Sequence, residues 1–360
     1  MKRYREPRGS LKTSFRIAGG VIAWVMGSGY ATGQEVLQFY SAFGLKSFGV
    51  LAITMGTFML FGYLLMRNGF RMEDEPEISH FERYCGPRLG RVYDRLLTVS
   101  LLALIPVLIS GGGATLQEYY GVPKPLGSAL MAAAALAAYL AGFEKLVNVT
   151  SKLGPAIIAF SLTVGAVSVI RGAGNFGRIP EFDSLFAPYR AAPTWWFSAL
   201  LYTGLNFCTG SAYFTRLGGT AECEREIRRG AILGGGALIL SVAMMSSSIL
   251  LYGDRTAGLD IPALFLARQI APFFGAVFSV TLVLGIFSSC SLMMWTVCGK
   301  AAGGEGPRNR LVAAGVALGG YVLSLFPFVR LVGSVFPLIG YVGLPFLVMV
   351  LWKEIGRRKK

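Results

Sequence analysis

Charge is scarce in this sequence. Asp, Glu, Lys and Arg make up 15% of its 360 residues, against 54% hydrophobic ones. A soluble chain carries about 25% charged residues, so these few could not cover a globule of this size. Histidine is rarer still, and the single His80 excludes His-rich metal sites and an H-E-x-x-H zinc helix. Five cysteines (85, 208, 223, 290 and 298) show no metal-type pairing, and Cys208, Cys290 and Cys298 lie in apolar runs as small packing residues. Long polar segments are also missing, as is any nucleotide-binding loop, so no soluble catalytic domain is hidden in the chain. These absences argue against an enzyme and for an integral membrane protein.

Apolar runs, by contrast, are plentiful. Ten stretches of 18 or more residues carry no Asp, Glu, Lys or Arg, at 17–34, 47–66, 96–117, 125–143, 153–170, 191–215, 230–253, 269–299, 311–329 and 331–352. A helix crossing a roughly 30 Å hydrocarbon core needs about 20 residues, so each run serves for one span. Barrel strands would be about half as long and alternate in polarity. The expected fold is an all-α membrane protein of ten transmembrane helices, forming one integral membrane domain over 1–360.

Lys and Arg number 34 against 19 acidic residues, a net charge of +15. With the N-terminus inside, 26 of the 34 fall in inner segments and 8 in outer ones. By the positive-inside rule both termini are cytoplasmic in a multi-pass protein of the cell membrane. The basic surplus is then an orientation signal, and no nucleic-acid partner is implied. No small-residue cleavage site follows the first apolar run, so that span is expected to be retained. The inner segment 67–95 mixes both signs and reads as a solvated surface helix. In the outer segment 254–268, Asp260 is placed to cap a short helix with Pro262 in its first turn, a candidate lid.

Ten spans divide into two halves of five, roughly 13–171 and 191–352. An odd number per half inverts the second half relative to the first, a transporter plan in which broken helices meet at the midplane. The first span holds Gly27-Ser28-Gly29-Tyr30-Ala31-Thr32-Gly33-Gln34-Glu35. Three Gly in seven residues each cost a helix about 1 kcal/mol relative to Ala, and Thr32 to Glu35 has capping-box spacing. The sequence predicts a break with a second half-helix from Gly33 to about Phe43. The sixth span reads Tyr202-Thr203-Gly204-Leu205-Asn206-Phe207-Cys208-Thr209-Gly210-Ser211 and is expected to break in the corresponding place. Small-residue packing is the plainer alternative there.

Unwound backbone at membrane depth is tolerated only where protein or a water-filled cavity satisfies it. The candidate substrate site is therefore Gly27, Ser28, Gly29, Ala31, Thr32 and Gly33 with Tyr202, Gly204 and Asn206. Free N–H groups at a half-helix start suit a carboxylate, which points to a small amino acid or related acid. Glu35 is either a proton carrier or counter-charge for a substrate amine, or simply the second member of the capping box. Ser288 and Ser289 in the eighth run would offer hydroxyls to Na⁺, unless they bond back to their own helix. Lys152, at the inner start of the fifth span, is a competing cation with a snorkelling alternative. Glu118, after the Gly111-Gly112-Gly113 approach point in the third span, is either an outer gate or an interfacial carboxylate. Trp195 and Trp196 read as outer interface anchors.

The Gly27–Glu35 string, Gly111 to Glu118 followed by Gly121-Val122-Pro123, and Tyr202 to Asn206 together resemble the YkvI-like membrane proteins. These are permease-like proteins related to the amino acid–polyamine–organocation transporters. The resemblance implies a LeuT-type fold of two inverted five-helix repeats, alternating access, and coupling of transport to Na⁺ or H⁺. It also places Ser288 and Ser289 where sodium-coupled relatives carry a hydroxyl pair. The expected function is secondary transport of a small amino acid or related carboxylate. A sensor that binds such a ligand without moving it is the alternative. The expected partners are that small molecule and the lipid bilayer, with no cofactor apart from the Na⁺ the serine pair would hold.

Overall fold

The computed structural model describes residues 9–26, 28–71, 80–141, 143–302 and 307–358, and among these no strand occurs. The helices are α1 (Leu11–Val25), α2 (Ser28–Thr32), α3 (Gln34–Phe39), α4 (Ser47–Arg71), α5 (His80–Tyr120), α6 (Lys124–Ala141), α7 (Phe143–Gly172), α8 (Asp183–Phe186), α9 (Trp195–Gly218), α10 (Glu224–Leu251), α11 (Gly253–Thr256), α12 (Pro262–Ile270), α13 (Pro272–Ala302), α14 (Pro307–Ser324) and α15 (Phe328–Arg358). Seven helical segments, falling on α4, α5, α6, α7, α10, α13 and α15, are long and apolar enough to cross a membrane. The other three apolar runs of the sequence fall on α1–α3, α9 and α14.

The first run is interrupted, as its glycines predict. Ser10 caps α1 by accepting the Thr13 N–H at 3.4 Å. Ile17, Ala18 and Val21 then bury one face of α1, seated on Gly230 and Gly234 of α10. The helix stops at Val25, restarts as α2, and turns at Gly33 (φ 81°) before α3. Only glycine takes that left-handed conformation without strain. A side chain there would also meet the Ala263 nitrogen at 2.9 Å.

The sixth run does not break. Residues 195–218 form one helix, α9, and Gly204 and Gly210 are not among the positive-φ glycines. The polar residues that suggested unwinding bond back to their own helix. Thr203 Oγ1 donates to Ala199 O at 2.8 Å, Asn206 Nδ2 to Tyr202 O at 3.0 Å and Thr209 Oγ1 to Leu205 O at 2.7 Å. The glycines are used for close approach instead. A Cβ on Gly204 would lie 2.6 Å from Gly340 O of α15, and one on Gly210 would run into the Trp24 indole. At the other end of α9, Gly218 abuts Met66 O, and Thr215 O abuts Gly69 of α4. Helices in membranes associate through such small-residue contacts.

The segment 67–95 is likewise not a free surface helix. Residues 72–79 of it lie outside the described residues, but α5 begins at His80 and Phe81 is fully buried against Tyr93 and Phe346. Acidic side chains meet the arginines across this end: Arg67 pairs with Glu224 at 2.7 Å and with Glu354 at 3.5 Å.

Candidate functional site

Gly29 and Thr32 of α2 line a small cavity with Val107, Leu108 and Gly111 of α5, Ile286 of α13, and Phe328 and Phe336 of α15. Its volume is about 10 Å³, at the lower limit for one water molecule. Apart from Thr32 its side chains are apolar. Thr32 Oγ1 donates to Gly29 O at 2.7 Å and accepts the Gln34 N–H at 3.3 Å, while the Gly33 N–H is taken by Tyr30 O at 2.9 Å. Thr32 thus caps α3 from one residue before the N-cap, which is Gly33. The predicted Thr32–Glu35 capping box is not formed at that register, and two of the N–H groups expected for a carboxylate are already satisfied.

Glu35 instead folds back over the break. Its Oε2 occupies the space where Gly29 would carry a side chain, with the Phe336 ring next to it. The residue is 6% exposed. Tyr30, Tyr40 and Tyr202 surround the carboxyl electrostatically. Tyr202 interacts with Glu35 side chain to side chain, yet its hydroxyl falls short of ordinary hydrogen-bond geometry and has no other partner. No basic side chain among the described residues pairs with Glu35. Both polar atoms of the Gln34 side chain are also buried without partners. Such groups cost about 1–3 kcal/mol each when left unpaired.

The remaining predicted residues divide clearly. Ala31 is fully buried behind the break, and Tyr202 packs against Phe39, Tyr40 and Phe58. Gly204 and Asn206 serve α9 packing, Asn206 also accepting the Trp24 indole N–H at 3.3 Å through its carbonyl. Ser288 is buried and Ser289 half-buried on α13. Ser289 lies one turn beyond the cavity residue Ile286, on the same helix face. Gly27 and the side chains of Ser28 and Lys152 lie outside the described residues. Sequence reasoning missed the cavity walls on α5, α13 and α15, since Val107, Ile286 and Phe336 look like any apolar membrane residue. Gln34 carried a readable signal, an amide beside a helix break.

Gly111 reaches the cavity, and the glycine triplet admits α15 and α6. A Cβ on Gly111 would press on Phe328 and one on Gly112 on Met131 of α6. Glu118, seven residues on, holds the segment 259–270. Its Oε2 accepts the Ile261 N–H at 3.1 Å, immediately before α12. Asp260 does not cap α12, since Ile261 stands at the N-cap and its side chain makes no capping hydrogen bond. The Asp260 carboxyl lies near the Val329 backbone and Lys124 instead, and burial raises its pKa above the ordinary value. The expected short helix with Pro262 in its first turn is present as α12, and its Ala263 lies directly on Gly33.

No family model matches the chain. It is 28% identical to the uncharacterized membrane protein YkvI of Bacillus subtilis (strain 168) over 355 residues, covering 94% of this chain and 95% of that one. The resemblance to YkvI-like membrane proteins holds along nearly the whole chain. YyaD of the same organism, also uncharacterized, is 26% identical over 360 residues, 96% of each chain. Among solved structures, a mutant manganese transporter of Eremococcus coleocola superposes with a TM-score of 0.56 at 14% identity, over 93% of this chain and 77% of that one. The same transporter bound to an aromatic bis-isothiourea compound gives 0.52, over 94% and 78%. The chain therefore has a fold similar to that of this manganese transporter. At such identity the likeness carries the fold alone.

Proposed function

We propose that the protein is a secondary active transporter of a small amino acid or related carboxylate, working by alternating access and coupled to Na⁺ or H⁺. The arrangement taken is ten spans in two inverted sets of five, over roughly 13–171 and 191–352, with both termini cytoplasmic. The observation that carries this reading is the broken first helix, with an uncompensated Glu35 folded back onto Gly29 beside a small cavity. A carboxylate buried without a cation is costly, so Glu35 is held by a proton or by a cation that arrives with the cargo. The cavity wall of Val107, Leu108, Ile286 and Phe336 favours cargo with an apolar side chain. Ser288 and Ser289 are the hydroxyl pair offered to Na⁺, and Glu118 holds α12 closed over the break.

The test is uptake of a mixed radiolabelled amino-acid pool into proteoliposomes under imposed Na⁺ or H⁺ gradients. Accumulation driven by one gradient is expected. Saturable binding without accumulation by folded protein would replace the transporter reading with the sensor.

A further inference from the structure

A second cavity, of about 630 Å³, lies apart from the break. One wall is the connector from α3 to α4, including Phe43 and Lys46; the other is the segment leading into α9, including Asp183, Arg190, Trp195 and Trp196. We propose that this cavity holds the phosphodiester headgroup of an anionic lipid from the expected outer leaflet. Charge, shape and depth each support this occupant.

Two cations and one carboxylate line the cavity. Arg190 is committed, with NH2 on both Asp183 oxygens at 2.9 and 3.0 Å and Nε on Ala42 O at 2.9 Å. That neutralises the pair and leaves Lys46, exposed and outside any ion pair among the described residues, as the net charge. One surplus positive charge matches a phosphodiester. Trp195 forms a fixed aromatic wall, lodged against Gly49, where a Cβ would stand 2.7 Å from the ring. Leu45, Phe48 and Trp196 are exposed around the same connector and the head of α9, which gives acyl chains an apolar path. Lys46 is the last charge before the uncharged run of α4, and the tryptophan pair heads α9. Both features mark headgroup depth.

Occupancy would also bear on the break. The wall ahead of α9 and the head of α9 itself are tied to the end of α3 and the connector after it by the Arg190 bond to Ala42, by Ala191 N–H to Gln38 O at 3.1 Å and by Ser198 Oγ to Phe39 O at 2.7 Å. The other end of that short helix is Gly33.

The experiment is native mass spectrometry of the full chain in detergent, titrated with dioctanoyl phosphatidylglycerol, dioctanoyl phosphatidylcholine, glycerol phosphate and inorganic phosphate. Saturable binding of phosphatidylglycerol over the other three is expected. Lys46→Gln should weaken it about fivefold, the usual worth of one basic residue near a headgroup, and Asp183→Asn should tighten it by a similar factor. Unchanged melting temperature of Lys46→Gln without lipid would confirm that its fold is intact. Equal affinity for phosphatidylcholine, or for inorganic phosphate alone, would overturn the lipid assignment. So would equal phosphatidylglycerol affinity in wild type and Lys46→Gln.

Discussion

Gly33 shows how much one residue decides. Its left-handed backbone disfavours any side chain by about 1–2 kcal/mol, and Ala263 leaves no room for a Cβ. Gly33→Ala should lower stability by at least that amount, read as a fall in the thermal midpoint in detergent. A midpoint unchanged within error would mean that α2 and α3 do not meet in this turn. Two residues on, Glu35→Gln removes the ionisable group while keeping its size. Uptake by that variant should lose its pH dependence if the carboxyl carries the coupling proton. An unaltered pH profile would leave Glu35 a role in closing the break only. The glycines and Thr32 made this break legible because their local preferences oppose continuous helix, and Glu35 stood out as an ionisable group at the end of an apolar run. The apolar partners from α5, α13 and α15 were not legible. Their role comes from distant parts of the chain meeting, which no local pattern encodes.

At the scale of elements, the same kinds of residue gave opposite outcomes in α2–α3 and in α9. Tyr202 to Ser211 holds two glycines, an asparagine and hydroxyls, as a break would require, yet the helix is continuous. What separates the two is the backbone. Gly33 has positive φ, whereas Gly204 and Gly210 keep helical angles and spend their missing side chains on α15 and Trp24. Composition cannot distinguish a glycine that turns from one that packs. The element most open to test is α12. Glu118→Ala would leave the Ile261 N–H without its acceptor, at about 1–3 kcal/mol, and amide exchange over 259–270 should quicken. Glu118→Gln keeps an acceptor and should restore most of the protection. Asp260 adds a pH term of definite sign. Because burial raises its pKa, the folded segment around α12 prefers the protonated carboxyl, and that contribution is lost as pH rises through the raised value. The thermal midpoint should therefore gain a component as pH falls through that value, and Asp260→Asn should abolish it.

For the whole molecule, the ten apolar runs and their charges were enough to place this chain among membrane proteins, and the broken first span pointed to a transporter fold. The double variant Ser288→Ala with Ser289→Ala tests how the halves cooperate, since α13 packs on α2. It should remove any Na⁺ dependence of uptake, and persistence of that dependence would place the ion elsewhere. The seams of α9 carry a longer consequence. Gly69, Gly204, Gly218, Gly340 and Gly343 bring backbone against backbone, so a single methyl at any of them pushes two helices apart. Val107, Ile286 and Phe336 are under no such restriction, because a cavity wall can change size without moving its helix. On the proposed transporter reading, a lineage descended from this protein could therefore exchange its cargo many times while inheriting the glycines untouched, and relatives that share the seams need not share a substrate.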